Sequence, residues 1–227
     1  MSFSKAVALV DSGVDLKNPR KVLETILYEV DVQSDLYITE GVLDVLDHSA
    51  PDPLFGAKIG IDATSRRPDE RQRVKPAAGK IPADEVIEKS LSNTSALLSA
   101  FHSPPLDVCN RLLLVAFAKD GRTPGRTLSE KLLRKRALKP FSILVLLDSG
   151  IDLRDYSLVL WKVFNNVDPR RDILRQGGRM AIDATRKSVE DGHTRPWPAD
   201  IEMAPEVAGS VKERAKELGI EEFWGPV

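Results

Sequence analysis

The sequence predicts an α/β protein with a Rossmann-like doubly wound, mostly parallel sheet in duplicate, extended arms and a C-terminal helix. Three observations carry that prediction. Residues 4–35 (SKAVALVDSGVDLKNPRKVLETILYEVDVQSD) return without a gap, 137 positions later, as residues 141–172 (FSILVLLDSGIDLRDYSLVLWKVFNNVDPRRD), with 11 of 32 aligned positions identical. A second word, Ile61-Asp62-Ala63-Thr64, returns as Ile182-Asp183-Ala184-Thr185 at an offset of 121, so the first copy carries 16 extra residues before it. Within each copy a continuous apolar run, a glycine turn and a stretch of helical spacing follow one another.

Taken in order, Ala6 to Val10 and Phe141 to Leu147 are unbroken apolar runs, the pattern of parallel strands covered on both faces. Each is followed by a helix with a matching apolar stripe: Val22, Leu23, Ile26, Leu27 and Val30, then Val159, Leu160, Val163, Phe164 and Val167. Asn18-Pro19 supplies a cap and a first-turn proline for the first helix, and Asp155 caps the second. Before the second copy, Arg111 to Ala118 reads as a buried strand, and a turn over Gly121 to Gly125 leads into a helix over Arg126 to Arg136. Strand, helix, strand, helix, strand thus run from residue 111 to about 174, a doubly wound order. Residues 65–85 and 186–205, rich in proline and charge, read as extended arms, and Asp84 to Ala100 as a helix. Ser103-Pro104-Pro105 suggests a division into residues 1–100 and 101–227. Pro205 to Leu218 reads as a charged amphipathic helix, with Gly219 as its stop and an apolar tail containing Phe223 and Trp224.

Composition narrows the function classes. A net charge of -1 and a pI near 6.3 mark neither nucleic acid nor membrane as the default partner, and the basic run Lys131 to Arg136 reads as a solvated helix face. A single cysteine, Cys109, excludes an internal disulfide, fits a reducing compartment and reads as a small buried hydrophobe. The longest apolar run, Leu112 to Ala118, is too short to span a bilayer, and the N-terminus shows no apolar signal core. A soluble cytoplasmic protein is expected.

The repeated Asp-Ser-Gly-x-Asp after a strand looks like the aspartate segment of subtilisin-type serine proteases. That chemistry needs a base histidine and a nucleophilic serine in their own settings, and His48, His102 and His193 lie in none. The pattern reads better as a tight turn at the carboxyl edge of a sheet, its aspartates accepting backbone N–H bonds. A hard cation shared by Asp11 and Asp15, or by Asp148 and Asp152, is the weaker alternative.

A family resemblance rests on several ordered words. Asp148 to Leu153, Trp161, Asp168 to Asp172, Arg179 to Thr185 and Arg195 to Pro198 resemble the C-terminal domain of the UbiD family of prenylated-flavin-dependent decarboxylases and carboxylases. The first copy resembles it more loosely: its Asp-Pro is reduced to Asp31-Val32, while Ala57 to Thr64 stays close.

The resemblance implies a specific role. The flavin-holding part of such enzymes, with its metal and its Glu-Arg-Glu network, has no counterpart in this sequence. The chain then resembles a noncatalytic small subunit, with no catalytic residues, cofactor or metal of its own, associating with a large UbiD-type subunit that carries prenylated FMN and a metal and acts on an aromatic compound. Trp197, Phe223 and Trp224 are the expected interface residues, with packing against the chain's own core as the alternative for the tryptophans. Lys58 and Arg179, which precede the repeated word at matching places, either reach a flavin phosphate on the partner or pair with a neighbouring carboxylate. Two further readings stay open: a self-associating scaffold module, and an enzyme with a small pocket at the carboxyl edge of the sheet.

Overall fold

A computed structural model describes residues 4–76, 79–200 and 203–220. In chain order the elements are β1 (Ala6–Val10), α1 (Pro19–Glu29), β2 (Leu36–Val42), β3 (Phe55–Ala63), α2 (Asp84–Ser92), β4 (Leu98–His102), β5 (Leu112–Phe117), α3 (Gly125–Leu133), β6 (Ile143–Asp148), α4 (Tyr156–Asn166), α5 (Pro169–Asp172), β7 (Ile173–Gln176), β8 (Arg179–Asp183) and α6 (Pro205–Glu217). They build two mixed sheets, β1-β3-β2 and β4-β5-β6-β8-β7.

The aligned stretches fold in the same order: strand, helix, then an antiparallel hairpin whose second strand returns parallel to the first. β3 lies parallel to β1 and antiparallel to β2, as β8 lies parallel to β6 and antiparallel to β7. The third parallel strand beside β6 is therefore β8, and the stretch near residue 174 is the antiparallel edge strand β7. The 16 extra residues all fall in the first hairpin, where residues 43–54 join β2 to β3; Gly177 and Gly178, both at positive φ, close the second.

Local chemistry starts the helices as expected. The Asn18 side chain accepts from the Lys21 N–H and the Asp155 side chain from the Leu158 N–H, each 3.0 Å away. Gly219, at positive φ, stands just past α6. The stripes are narrower than periodicity suggested, because Phe164 is exposed although its counterpart Leu27 is buried. The helix expected over Asp84 to Ala100 stops at Ser92, and Leu98–His102 pairs antiparallel with β5. Both α2 and β4 thus join the second sheet, and a division at residue 100 falls inside a strand.

One apolar core joins the two sheets. Ile59, Ile61 and Ala63 of β3, Leu27 of α1, Val145 and Leu147 of β6 and Val159 of α4 share it. A second core lies on the other face of the larger sheet, where Leu144, Leu146 and Ala181 meet Ile87 and Leu91 of α2 and Leu128 and Leu132 of α3. Among the described residues no helix covers the matching face of the smaller sheet. Leu9 of β1 is 59% exposed and Tyr37 of β2 58%, so β1 is not the doubly buried strand its composition announced. The two units also cap each other: Asn110 donates to the carbonyls of Leu27 (2.9 Å) and Val30 (2.6 Å) at the end of α1, and Lys5 and Ser49 to those of Asn165 (3.4 Å) and Val167 (3.3 Å) at the end of α4.

Candidate functional site

The carboxyl edges of the sheets carry one carboxylate frame twice. Asp11 accepts the Ser65 N–H at 3.0 Å, as Asp148 accepts that of Arg186 at 3.0 Å. Asp62 accepts the Thr64 N–H (3.1 Å) and hydroxyl (2.7 Å); Asp183 accepts those of Thr185 at 3.1 and 2.6 Å. Asp35 accepts the Asp31 N–H at 2.8 Å, as Asp172 accepts that of Asp168 at 2.8 Å. These are structural uses, since each carboxylate pins a turn that would otherwise leave a donor unpaired.

The cations that answer the frame differ. In the second unit the Lys187 ammonium donates to the carbonyls of Asp183 (2.6 Å) and Thr185 (2.8 Å) and lies 3.1 Å from the Asp183 carboxylate, while Arg171 grips Asp172 through two nitrogens at 2.7 and 2.8 Å. In the first unit Arg73 takes the equivalent carbonyls, Asp62 at 2.8 Å and Thr64 at 2.6 Å, and pairs with Asp35. Arg66, which aligns with Lys187, pairs with both Asp35 and Asp62. Burial pushes the Asp172 and Asp148 carboxyls above their ordinary value. At Asp62 burial also pushes upward, but the Thr64 bonds and the guanidinium charges outweigh it and hold the group low. The close fit extends to Gly125, at the start of α3, where a Cβ would stand 1.9 Å from the Asp183 carboxylate.

A third cluster bridges the units. His193 is buried, and the Arg171 guanidinium lies 3.2 Å from its Nδ1. A guanidinium only donates, so Nδ1 accepts and the ring proton sits on Nε2. That Nε2 is buried without a hydrogen-bond partner, and the Trp197 ring lies at 5.1 Å, centroid to centroid, in an edge arrangement. Trp197 meets His48 of the extended hairpin in the same way at 4.7 Å. Burial, followed by the positive charges of Arg171 and Arg195, lowers the His193 pKa to about 4. Burial lowers that of His48 too.

The expected site residues are scattered. Arg179, at the start of β8, spends all three guanidinium nitrogens on carbonyls: Phe141 at 2.9 Å, and Leu133 and Leu138 at 2.6 Å. It closes the end of α3, whose last carbonyls lack intrahelical donors, instead of pairing with a neighbouring carboxylate. Lys58 is buried on β3 in the other sheet, its stem against Gly41. Trp197, half-buried, meets two histidines of its own chain. Phe223 and Trp224 lie outside the described residues. Sequence reasoning passed over Arg66, Arg73 and Lys187, and weighed His193 only as a protease base; the signal for Arg66 and Lys187 was the repeated Asp-x-Thr with a basic residue four positions after its aspartate.

The model of the 3-octaprenyl-4-hydroxybenzoate carboxy-lyase C-terminal domain, UbiD_C, matches residues 1–63 and 78–194. The chain belongs to the UbiD C-terminal domain family. An uncharacterised protein of Helicobacter pylori (strain ATCC 700392 / 26695) is 29% identical over 226 residues, covering 94% of this chain and 33% of its own length. This UbiD-type chain therefore spans about a third of the curated relatives it matches. Among solved structures, the vanillic acid decarboxylase ShVdcCD of Sedimentibacter hydroxybenzoicus in closed form has a TM-score of 0.43 at 14% identity, over 79% of this chain and 43% of that one. An evolved dimeric form of the UbiD-class enzyme HmfF from Pelotomaculum thermopropionicum, in complex with prFMN, has 0.42 at 12%, over 77% and 43%. No helix among the described residues is long and apolar enough to cross a membrane.

Proposed function

We propose that this UbiD C-terminal-type chain is a noncatalytic assembly module, a small cytoplasmic subunit that stabilises the large prenylated-FMN subunit of a carboxylase or decarboxylase acting on an aromatic compound. The observation that carries this reading is the duplicated carboxylate frame. Acid–base catalysis needs a carboxyl free to exchange its proton with a substrate, whereas Asp11, Asp35 and Asp62, like Asp148, Asp172 and Asp183, are each bound to backbone donors of their own unit. The length of the Helicobacter pylori relative adds support, since the matched stretch there accompanies twice as much further polypeptide.

The flavin belongs to the partner in this reading, and Lys58 and Arg179 are not offered as ligands for its phosphate. Arg179 is saturated by three carbonyls and Lys58 is buried. Within this chain the strand-end carboxylates hold turns, Arg66, Arg73, Arg171 and Lys187 neutralise them, and the two cores present a rigid body for docking. Co-expression with a UbiD-type large subunit, followed by size-exclusion chromatography and an assay of carbon dioxide release from an aromatic acid, tests the reading. A 1:1 complex with activity only in the mixture is expected. Turnover by the purified chain alone, or a self-associated form that ignores the large subunit, refutes it.

A further inference from the structure

We propose that the outer face of the smaller sheet and the open edge of β1 together form the seat of a strand–helix element, and that this element belongs to the large catalytic polypeptide. The proposal rests on the function proposed above and adds where and how the two chains meet.

The molecule contains the completed version of this seat. Offsets of 137 and 121 carry Val7, Leu9, Tyr37 and Gly60 onto Leu144, Leu146, Leu174 and Ala181. In the larger sheet Leu144, Leu146 and Ala181 are fully buried, and Leu174 packs against their core beneath α2 and α3. In the smaller sheet the matching positions are open: Leu9 and Tyr37 are exposed, and Val7 and Gly60 are half-buried between them. The register places Val7, Gly60 and Tyr37 in one row across the three strands, with Leu9 one row on.

The strand edge repeats the contrast. β6 pairs on one side with β8 and on the other with β5, which lies parallel to it from Leu112 opposite Ile143 to Phe117 opposite Asp148. β1 pairs with β3, and among the described residues no strand takes its other side. An unpaired edge beside an exposed apolar face is a template for strand addition.

What fits is therefore defined chemically: a short apolar strand added parallel to β1, then a helix crossing over Gly60, where the absent side chain allows a close approach, with aliphatic residues against Val7, Leu9 and Tyr37. The β5–α3 segment is the pattern for it, with Leu128 and Leu132 on the buried side of its helix. The UbiD-type large polypeptide is the source because relatives of this chain carry about two thirds of their length beyond the matched stretch.

The test uses the full chain and the co-expressed large subunit. Hydrogen exchange on the complex is expected to slow at the amides of residues 6–10 and 58–62. Leu9→Glu and Tyr37→Glu are each expected to weaken the complex at least about tenfold, while Leu46→Glu, on the exposed hairpin loop, leaves it intact. Circular dichroism identifies any variant that fails to fold. A wild-type complex that ignores both substitutions, with protection elsewhere, overturns the seat and leaves the assembly role standing. Failure of the wild-type chain to bind the large subunit overturns both. A self-dimer lost on Leu9→Glu overturns the choice of occupant.

Discussion

Leu9 and Leu146 hold the same place in the repeated strand, yet Leu146 is fully buried and Leu9 is 59% exposed. Their strands have similar composition, the same turn after them and the same hairpin beside them. The difference is what lies on the sheet: α2 and α3 cover one face of the larger sheet, and no described helix covers the matching face of the smaller. An apolar strand thus states a capacity for burial, and only the elements packed on it decide whether that capacity is used.

The two units are expected to differ most at their cations. Lys187→Met is expected to destabilise the chain by about 3–5 kcal/mol, because Asp172 and Asp183 are buried and lose a charge partner. Arg73→Met is expected to cost less, since Arg66 still faces Asp35. Urea denaturation of both variants measures the difference, and equal costs would show that the two frames are not answered differently.

At the strands, Leu146→Ala should cost about 2–5 kcal/mol and Leu9→Ala no more than about 0.5 kcal/mol in the isolated chain. A large effect of Leu9→Ala on the same denaturation curves would mean that the outer face is already covered.

Acid should loosen the bridge between the units. His193 falls from an ordinary value of 6.5 to about 4 in the folded chain, where it faces Arg171, Arg195, His48 and Lys187. The unfolded chain therefore binds the proton first, and the stability contributed by the neutral ring is present above pH 6.5 and lost as the pH falls towards 4. Between pH 7 and pH 5 the loss is about 2 kcal/mol. Denaturation at the two pH values, with Trp197 as fluorophore among the tryptophans, should show it, and His193→Gln should flatten it.

At the helix caps the two units are alike. Asn18→Ala and Asp155→Ala remove equivalent caps with equal 3.0 Å bonds, and each should cost about 1 kcal/mol in thermal melting. Clearly unequal costs would show that the two helix starts are supported unequally by their surroundings.

Much of the fold was legible because it is local. The caps at Asn18 and Asp155, the stop at Gly219 and the words that become the carboxylate frame all act within a few residues, where sequence spacing dictates geometry. The extra 16 residues were visible as a change of offset, but not that they lengthen one hairpin and bring His48 against Trp197. For Arg179 the sequence offers a phosphate or a carboxylate as partner, because it shows the charge and not the three carbonyls that meet it.

The strand, the capped helix, the acidic turn and the α/β class of the repeated unit can all be read along the chain. All of these follow from periodicity and from bonds between near neighbours. That β4 and α2 serve the second sheet, that Arg73 takes the part of Lys187, and that among the described residues no helix covers one apolar sheet face emerge only once the chain is folded. Those outcomes depend on contacts between residues far apart in the chain, and no local pattern encodes which distant surface will arrive.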